Sequence, residues 1–128
     1  MRILLSFITA LFFFTAVSAQ TETNVDSVFK VTTHSFGKIK QHEPATTEFS
    51  FVNKSNKPLI IETATAECGC TTPDYPKAPI QQGKTGIIKV TYNAESPGKF
   101  TKRVTVKFAN IATPVILTID GEVIEAKS

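Results

Sequence analysis

The chain has 128 residues and a formal net charge of +3 at pH 7. That length suits one domain, and a charge so mild, with no block of like sign, does not point to nucleic acid as a partner. The two cysteines are an even count, which permits one disulfide without requiring it.

In chain order, the first element is a leader. Arg2 precedes an almost unbroken apolar run over residues 3–17, and Val17, Ser18 and Ala19 supply small residues at the cut. This is the three-part pattern of a cleaved secretory signal, and the run is short of the roughly 20 residues that a membrane span needs. Residues 1–19 are therefore predicted to be removed. No membrane span is expected in the mature chain, and its destination is outside the cytoplasm. No cysteine sits at the cut, so a lipid anchor is not indicated. Residues 20–27 are polar and read as an N-terminal arm.

The domain is expected over residues 28–124, with a short tail at 125–128. Residues 28–33 alternate loosely, and residues 34–39 carry Gly37 at a bend. Residues 47–53 alternate clearly, with Phe49 and Phe51 on one face and Glu48 and Ser50 on the other. "NKSNKP", residues 53–58, is a turn by composition. Residues 59–65 form the next predicted strand. A long irregular segment follows at 67–86, punctuated by Pro73, Pro76, Pro79, Gly69 and Gly83.

Residues 87–93 place Ile88, Val90 and Tyr92 on one face. After a turn at 94–98, residues 99–108 turn Val104, Val106 and Phe108 inward and Thr105 and Lys107 outward. A second turn at 110–113 leads to a last strand over 114–123, with Val115, Leu117 and Ile119 on one side. Pro114 suits a strand's first position, where a missing donor does least harm. No mature segment holds a helical period over three turns.

Each such strand buries one face only, so two sheets must meet. Six or seven short strands with turn residues between them predict an all-β, two-sheet antiparallel β-sandwich, with a small barrel as the main rival. The chain has no tryptophan, and its cysteines cannot bridge two sheets, which excludes the antibody-type core.

Both cysteines lie in "AECGCTT", residues 66–72, with Gly69 alone between Cys68 and Cys70. A disulfide across so short a loop constrains the unfolded chain by only about 1.5 kcal/mol. Closing it requires a bend at Gly69. Three readings stay open. The sulfurs can pack as small apolar groups in a tight turn. They can form a readily reduced disulfide or redox pair. They can hold a soft metal, copper or zinc, with His34, His42 or a second chain completing the site.

Other chemistry has weaker support. A Cys–His nucleophile pair is available only in the sense that both residue types occur. "QQGKTG", residues 81–86, lacks the first glycine of a phosphate loop and leads into a strand, so it reads as a turn. His34 beside Phe36 reads as a strand residue, and His42 as a solvated turn residue.

The order of several pieces is familiar. "FGKI" (36–39), "FSFVNKSNKPLII" (49–61), "CGCTTPDYPKAPI" (68–80), "GKTGIIKVTYN" (83–93) and "GKFTKRVTVKFAN" (98–110) follow one another. In this the chain resembles the bacterial family of exported domains of unknown function numbered fifteen seventy-three, a relative of the ASH and Hydin immunoglobulin-like domains. One departure is Gln82-Gly83, where the family usually has Pro-Gly. The resemblance implies an immunoglobulin-like sandwich in a bacterial protein of the periplasm or cell surface, with no established enzymatic activity and no assigned role for Cys68 and Cys70.

Phe36, Phe49, Phe51, Val90, Tyr92, Phe100, Val104 and Val106 are expected in the core, and Gly37, Gly83 and Gly98 at backbone bends. The functional expectation is a non-enzymatic binding or assembly module without a cofactor, recognising a protein partner through a sheet edge or the 67–86 rim. The alternative is a thiol redox or soft-metal protein using Cys68 and Cys70.

Overall fold

The computed structural model describes residues 29–127. The predicted leader and the whole of the N-terminal arm, residues 20–27, lie outside the described residues. Seven strands follow one another: β1 (Thr33–Lys40), β2 (Ala45–Val52), β3 (Ile61–Ala66), β4 (Thr71–Asp74), β5 (Thr85–Tyr92), β6 (Gly98–Phe108) and β7 (Val115–Ile124). They form a four-stranded sheet in the order β1-β7-β6-β3 and a three-stranded sheet in the order β2-β5-β4. All pairings are antiparallel except β1 with β7, which is parallel. The sequence expectation of an immunoglobulin-like sandwich is met.

The alternation in the sequence sets the faces. In β5, Ile88, Val90 and Tyr92 are buried and Ile87 and Lys89 exposed. In β6, Phe100, Val104, Val106 and Phe108 are buried, and in β7 Val115, Leu117, Ile119 and Val123. Each such side chain contributes about 1.5–3 kcal/mol when removed from water. The centre is aromatic. Phe51 lies 5.1 Å from Phe29 and 5.5 Å from Phe108 between ring centroids, and Tyr92 stacks on Phe100 at 3.9 Å. Phe36, expected in the core, is half-buried against it.

One device recurs in both sheets. Phe51 is paired across the ladder with Gly86, and Phe100 with Gly121. In each case the phenyl ring occupies the space that a β-carbon on the glycine would need. A ring laid over a cross-strand glycine packs area that the glycine itself cannot supply.

The structure corrects two element boundaries. Residues 28–33 do not form a continuous strand within the described residues. Phe29 makes a single bridge to Phe51, and pairing with β7 begins at Thr33. The chain thus leaves the edge of one sheet and joins the other. The 67–86 segment is not wholly irregular either: it contains β4, and Ile80 bridges back to Leu59. Pro73 argued against a strand there, but β4 is an edge strand of four residues, where a missing donor is tolerated.

Candidate functional site

Residues 67–70 carry the chain from β3, at the edge of the four-stranded sheet, to β4, at the edge of the three-stranded sheet. Cys68-Gly69-Cys70 is this crossing. The structure joins Cys68 to Cys70 in a disulfide, with their Cα atoms 5.3 Å apart. That separation falls inside the usual range for a disulfide, about 4.4–6.8 Å. Gly69 is exposed, its φ is not in the left-handed region, and a β-carbon there would meet nothing within 4 Å.

Backbone bonds fix the crossing on both sides. Glu67 donates its N–H to the Arg103 carbonyl at 3.3 Å, and its carboxylate accepts the Arg103 N–H at 3.2 Å. The Cys70 carbonyl accepts from the Asn93 N–H at 2.9 Å, and the Cys68 carbonyl from the Thr71 N–H at 3.4 Å. The buried Thr71 hydroxyl lies 3.8 Å from one sulfur and 3.7 Å from the other. Both cysteines are half-buried, and Cys70 packs on the core.

Beyond β4 and the Leu59–Ile80 bridge, one side chain ties the rim to β2. Asn53 is fully buried at the end of β2. Its amide nitrogen donates to the Lys57 carbonyl at 2.7 Å and the Ile80 carbonyl at 2.8 Å, and its side-chain oxygen accepts from the Ser55 N–H and hydroxyl. Its backbone donates to the Lys84 carbonyl and accepts from Gly83. Gly83 has φ 76°, so "QQGKTG" is the turn that the sequence suggests. Further out, the Lys77 ammonium sits 3.2 Å from the centre of the Tyr75 ring, a cation–π contact.

The candidate ligands and nucleophiles are not brought together. His34 lies on β1 and the cysteines follow β3, at opposite edges of the four-stranded sheet. Three inter-strand steps separate those edges, about 14 Å. His34 packs edge-on against Phe36 at 4.8 Å. His42 is exposed in the β1–β2 turn with φ 68°, its N–H bonded to the Ala94 carbonyl. Among the described residues, no three His, Cys, Asp or Glu side chains gather into a metal-binding group. With Cys68 bonded to Cys70, neither sulfur is a free thiolate.

Among the described residues, Tyr92 is the titratable group that burial perturbs: desolvation pushes its phenol above the usual value. It is packed on Phe100 inside the sandwich, so it is a core residue rather than a reactive one.

Similar proteins agree with this architecture. The PapD-like ASH domain 7 of human CEP192 superposes with a TM-score of 0.70 at 9% identity, covering 99% of this chain and all of that one. A protein of unknown function from Porphyromonas gingivalis matches at 0.64 and 15% identity, over 74% of this chain and 46% of its own length. The YadV chaperone matches at 0.55 and 18% identity, over 79% of this chain and 53% of its own. At these identities the likeness establishes the fold. No curated protein matches the sequence. The family described as "Protein of unknown function (DUF1573)" matches residues 27–123, which span the sandwich up to, but not including, the last residue of β7, and the chain belongs to that family.

Proposed function

We propose that the chain is an exported, non-enzymatic binding or assembly module of the bacterial periplasm or cell surface, and that it recognises a protein partner. The observation that carries this reading is the sandwich itself: a two-sheet scaffold with edge strands and an ordered rim, and no gathered set of reactive side chains among the described residues. Sheet edges offer backbone donors and acceptors to an added strand, and rim loops held by a rigid scaffold offer side chains. The likeness to a chaperone and to a PapD-like domain supports the same class of role. Export rests on the leader pattern of residues 1–19. Among the described residues, no helix is long and apolar enough to cross a membrane.

In this reading the Cys68–Cys70 disulfide shapes a crossing between sheets. Photo-crosslinking in cells, with the reactive group placed in turn on each sheet edge and on the 67–86 rim, tests the proposal. Discrete protein adducts from envelope fractions, on a chain whose mass begins at Gln20, are expected. An uncleaved cytoplasmic chain would contradict export. An exported chain giving no adduct at any position would contradict the binding role.

A further inference from the structure

We infer that the outer edge of β2 is the docking strand, and that its occupant is an extended segment of another protein with a basic residue opposite Glu48. This rests on the reading of the chain as a binding module and names the surface and the partner's chemistry.

Three of the four sheet edges are defended. β1 is interrupted by a register shift between Ser35 and Lys38, with Gly37 at φ 67°, and it carries exposed Lys38 and Lys40. β3 has six residues and a register shift between Ile61 and Thr63. β4 has four residues, with Pro73 among them. Bulges, lysines, short length and proline are the devices that discourage strand addition. β2 has none of them. Its eight residues pair with β5 in unbroken register, from Ala45 with Tyr92 to Val52 with Thr85.

The direction of its backbone groups follows from that ladder. Asn53 turns its N–H toward the β5 side, onto the Lys84 carbonyl. Alternate residues of a strand turn N–H and C=O to opposite edges. Phe51, Phe49 and Thr47 therefore face β5, while Thr46 and Glu48 face outward. Among the described residues, the partner recorded on this outer edge is Phe29, opposite Phe51 at its far end. Beyond Phe29 the chain crosses to β7, and the departure opens a groove of about 280 Å³ beside Glu48, Phe49 and Ser50, with Val31 and His34 on its other wall. Val31 is 59% exposed at that wall.

Charge selects the occupant. Across the outer face of this sheet Asp74 is paired with Lys89, and Lys89 with Glu48, whose carboxylate lies 3.9 Å from the Lys89 ammonium. The row alternates in sign and ends on an acid. The next strand continues it with Lys or Arg. A second copy of this chain, paired antiparallel about Glu48, would set two glutamates face to face, which is unfavourable. The row beside it runs Thr72, Thr91, Thr46, with the Thr46 and Thr91 hydroxyls 2.9 Å apart. It suits a β-branched residue two positions from the basic one. Side chains between these point into the groove and should be small and apolar.

The probe is a capped hexapeptide, Thr-Val-Lys-Val-Thr-Val, titrated into the isotopically labelled chain from Gln20 to Ser128 and followed by amide chemical shifts. Perturbations centred on Thr46–Ser50, Val31 and His34 are expected. Replacing the peptide's Lys by Glu should weaken binding roughly threefold to fivefold, and Glu48→Lys should reverse that preference. A dispersed spectrum of the variant confirms that it is folded. Perturbations on residues 67–86 would overturn the β2 assignment and leave the binding role standing. Concentration-dependent changes at β2 without peptide would overturn the heterotypic partner in favour of a second copy. No perturbation anywhere at millimolar peptide would overturn the docking strand, and cellular adducts at other positions would still sustain the binding role.

Discussion

Asn53 shows what a single buried polar side chain can organise. Its amide bonds reach from the end of β2 to the turn at Lys57 and to the rim at Ile80. Truncation would remove four part-buried hydrogen bonds, to the Lys57 and Ile80 carbonyls and from the Ser55 N–H and hydroxyl, at a cost of about 2–4 kcal/mol. Asn53→Ala should lower the urea midpoint accordingly with an unchanged slope, and a loss below about 1 kcal/mol would show that water replaces the amide. The glycines divide sharply. Gly86→Ala and Gly121→Ala drive a methyl into the Phe51 and Phe100 rings and should cost about 1–3 kcal/mol each. Gly69→Ala meets open space and should stay within about 0.5 kcal/mol of the parent, although it sits in the most distinctive motif of the chain. Thermal unfolding of the three variants ranks them directly. Tyr92 adds a pH dependence. Its folded phenol titrates above its unfolded one, so its contribution is complete below about pH 10 and is lost as pH rises past the unfolded value. Tyr92→Phe should flatten that alkaline fall, and an equal fall in both proteins would assign it elsewhere.

At the scale of elements, period-2 alternation made most strands readable, because which face is buried is a local property. Phe49 and Phe51, Val90 and Tyr92, and Val104 and Val106 are buried as their spacing requires. What stayed hidden is long-range. Alternation tells which face turns inward and not which sheet a strand joins, so nothing local marked residues 67–70 as the passage between sheets. β4 was masked by Pro73 and by its length of four residues. Gly86 and Gly121 could not be singled out, since their role depends on cross-strand register with a phenylalanine. "NKSNKP" announced a turn, but the bond from Asn53 to Ile80 spans 27 positions. The disulfide belongs at this scale too. It closes a loop of three residues, so it restrains the unfolded chain by only about 1.5 kcal/mol. Reduction should lower the thermal midpoint by less than about 10 °C. A fall much larger would mean that the crossing, and with it β4, depends on the sulfur bond.

For the whole molecule, two sheets closed over an aromatic core present four sheet edges and the 67–86 rim at the surface. The four-stranded sheet guards both of its edges with register shifts, and the three-stranded sheet guards β4 with Pro73. β2 is the long, regular edge that remains. The proposed binding role therefore turns on whether that edge is open. Amide hydrogen exchange of the chain from Gln20 to Ser128, resolved residue by residue, answers this. Thr46 and Glu48 should exchange fast, while Thr47 and Phe49, bonded into the ladder with β5, should be strongly protected. Equal protection at all four positions would mean that the edge is already covered, and would contradict β2 as the place where a partner docks.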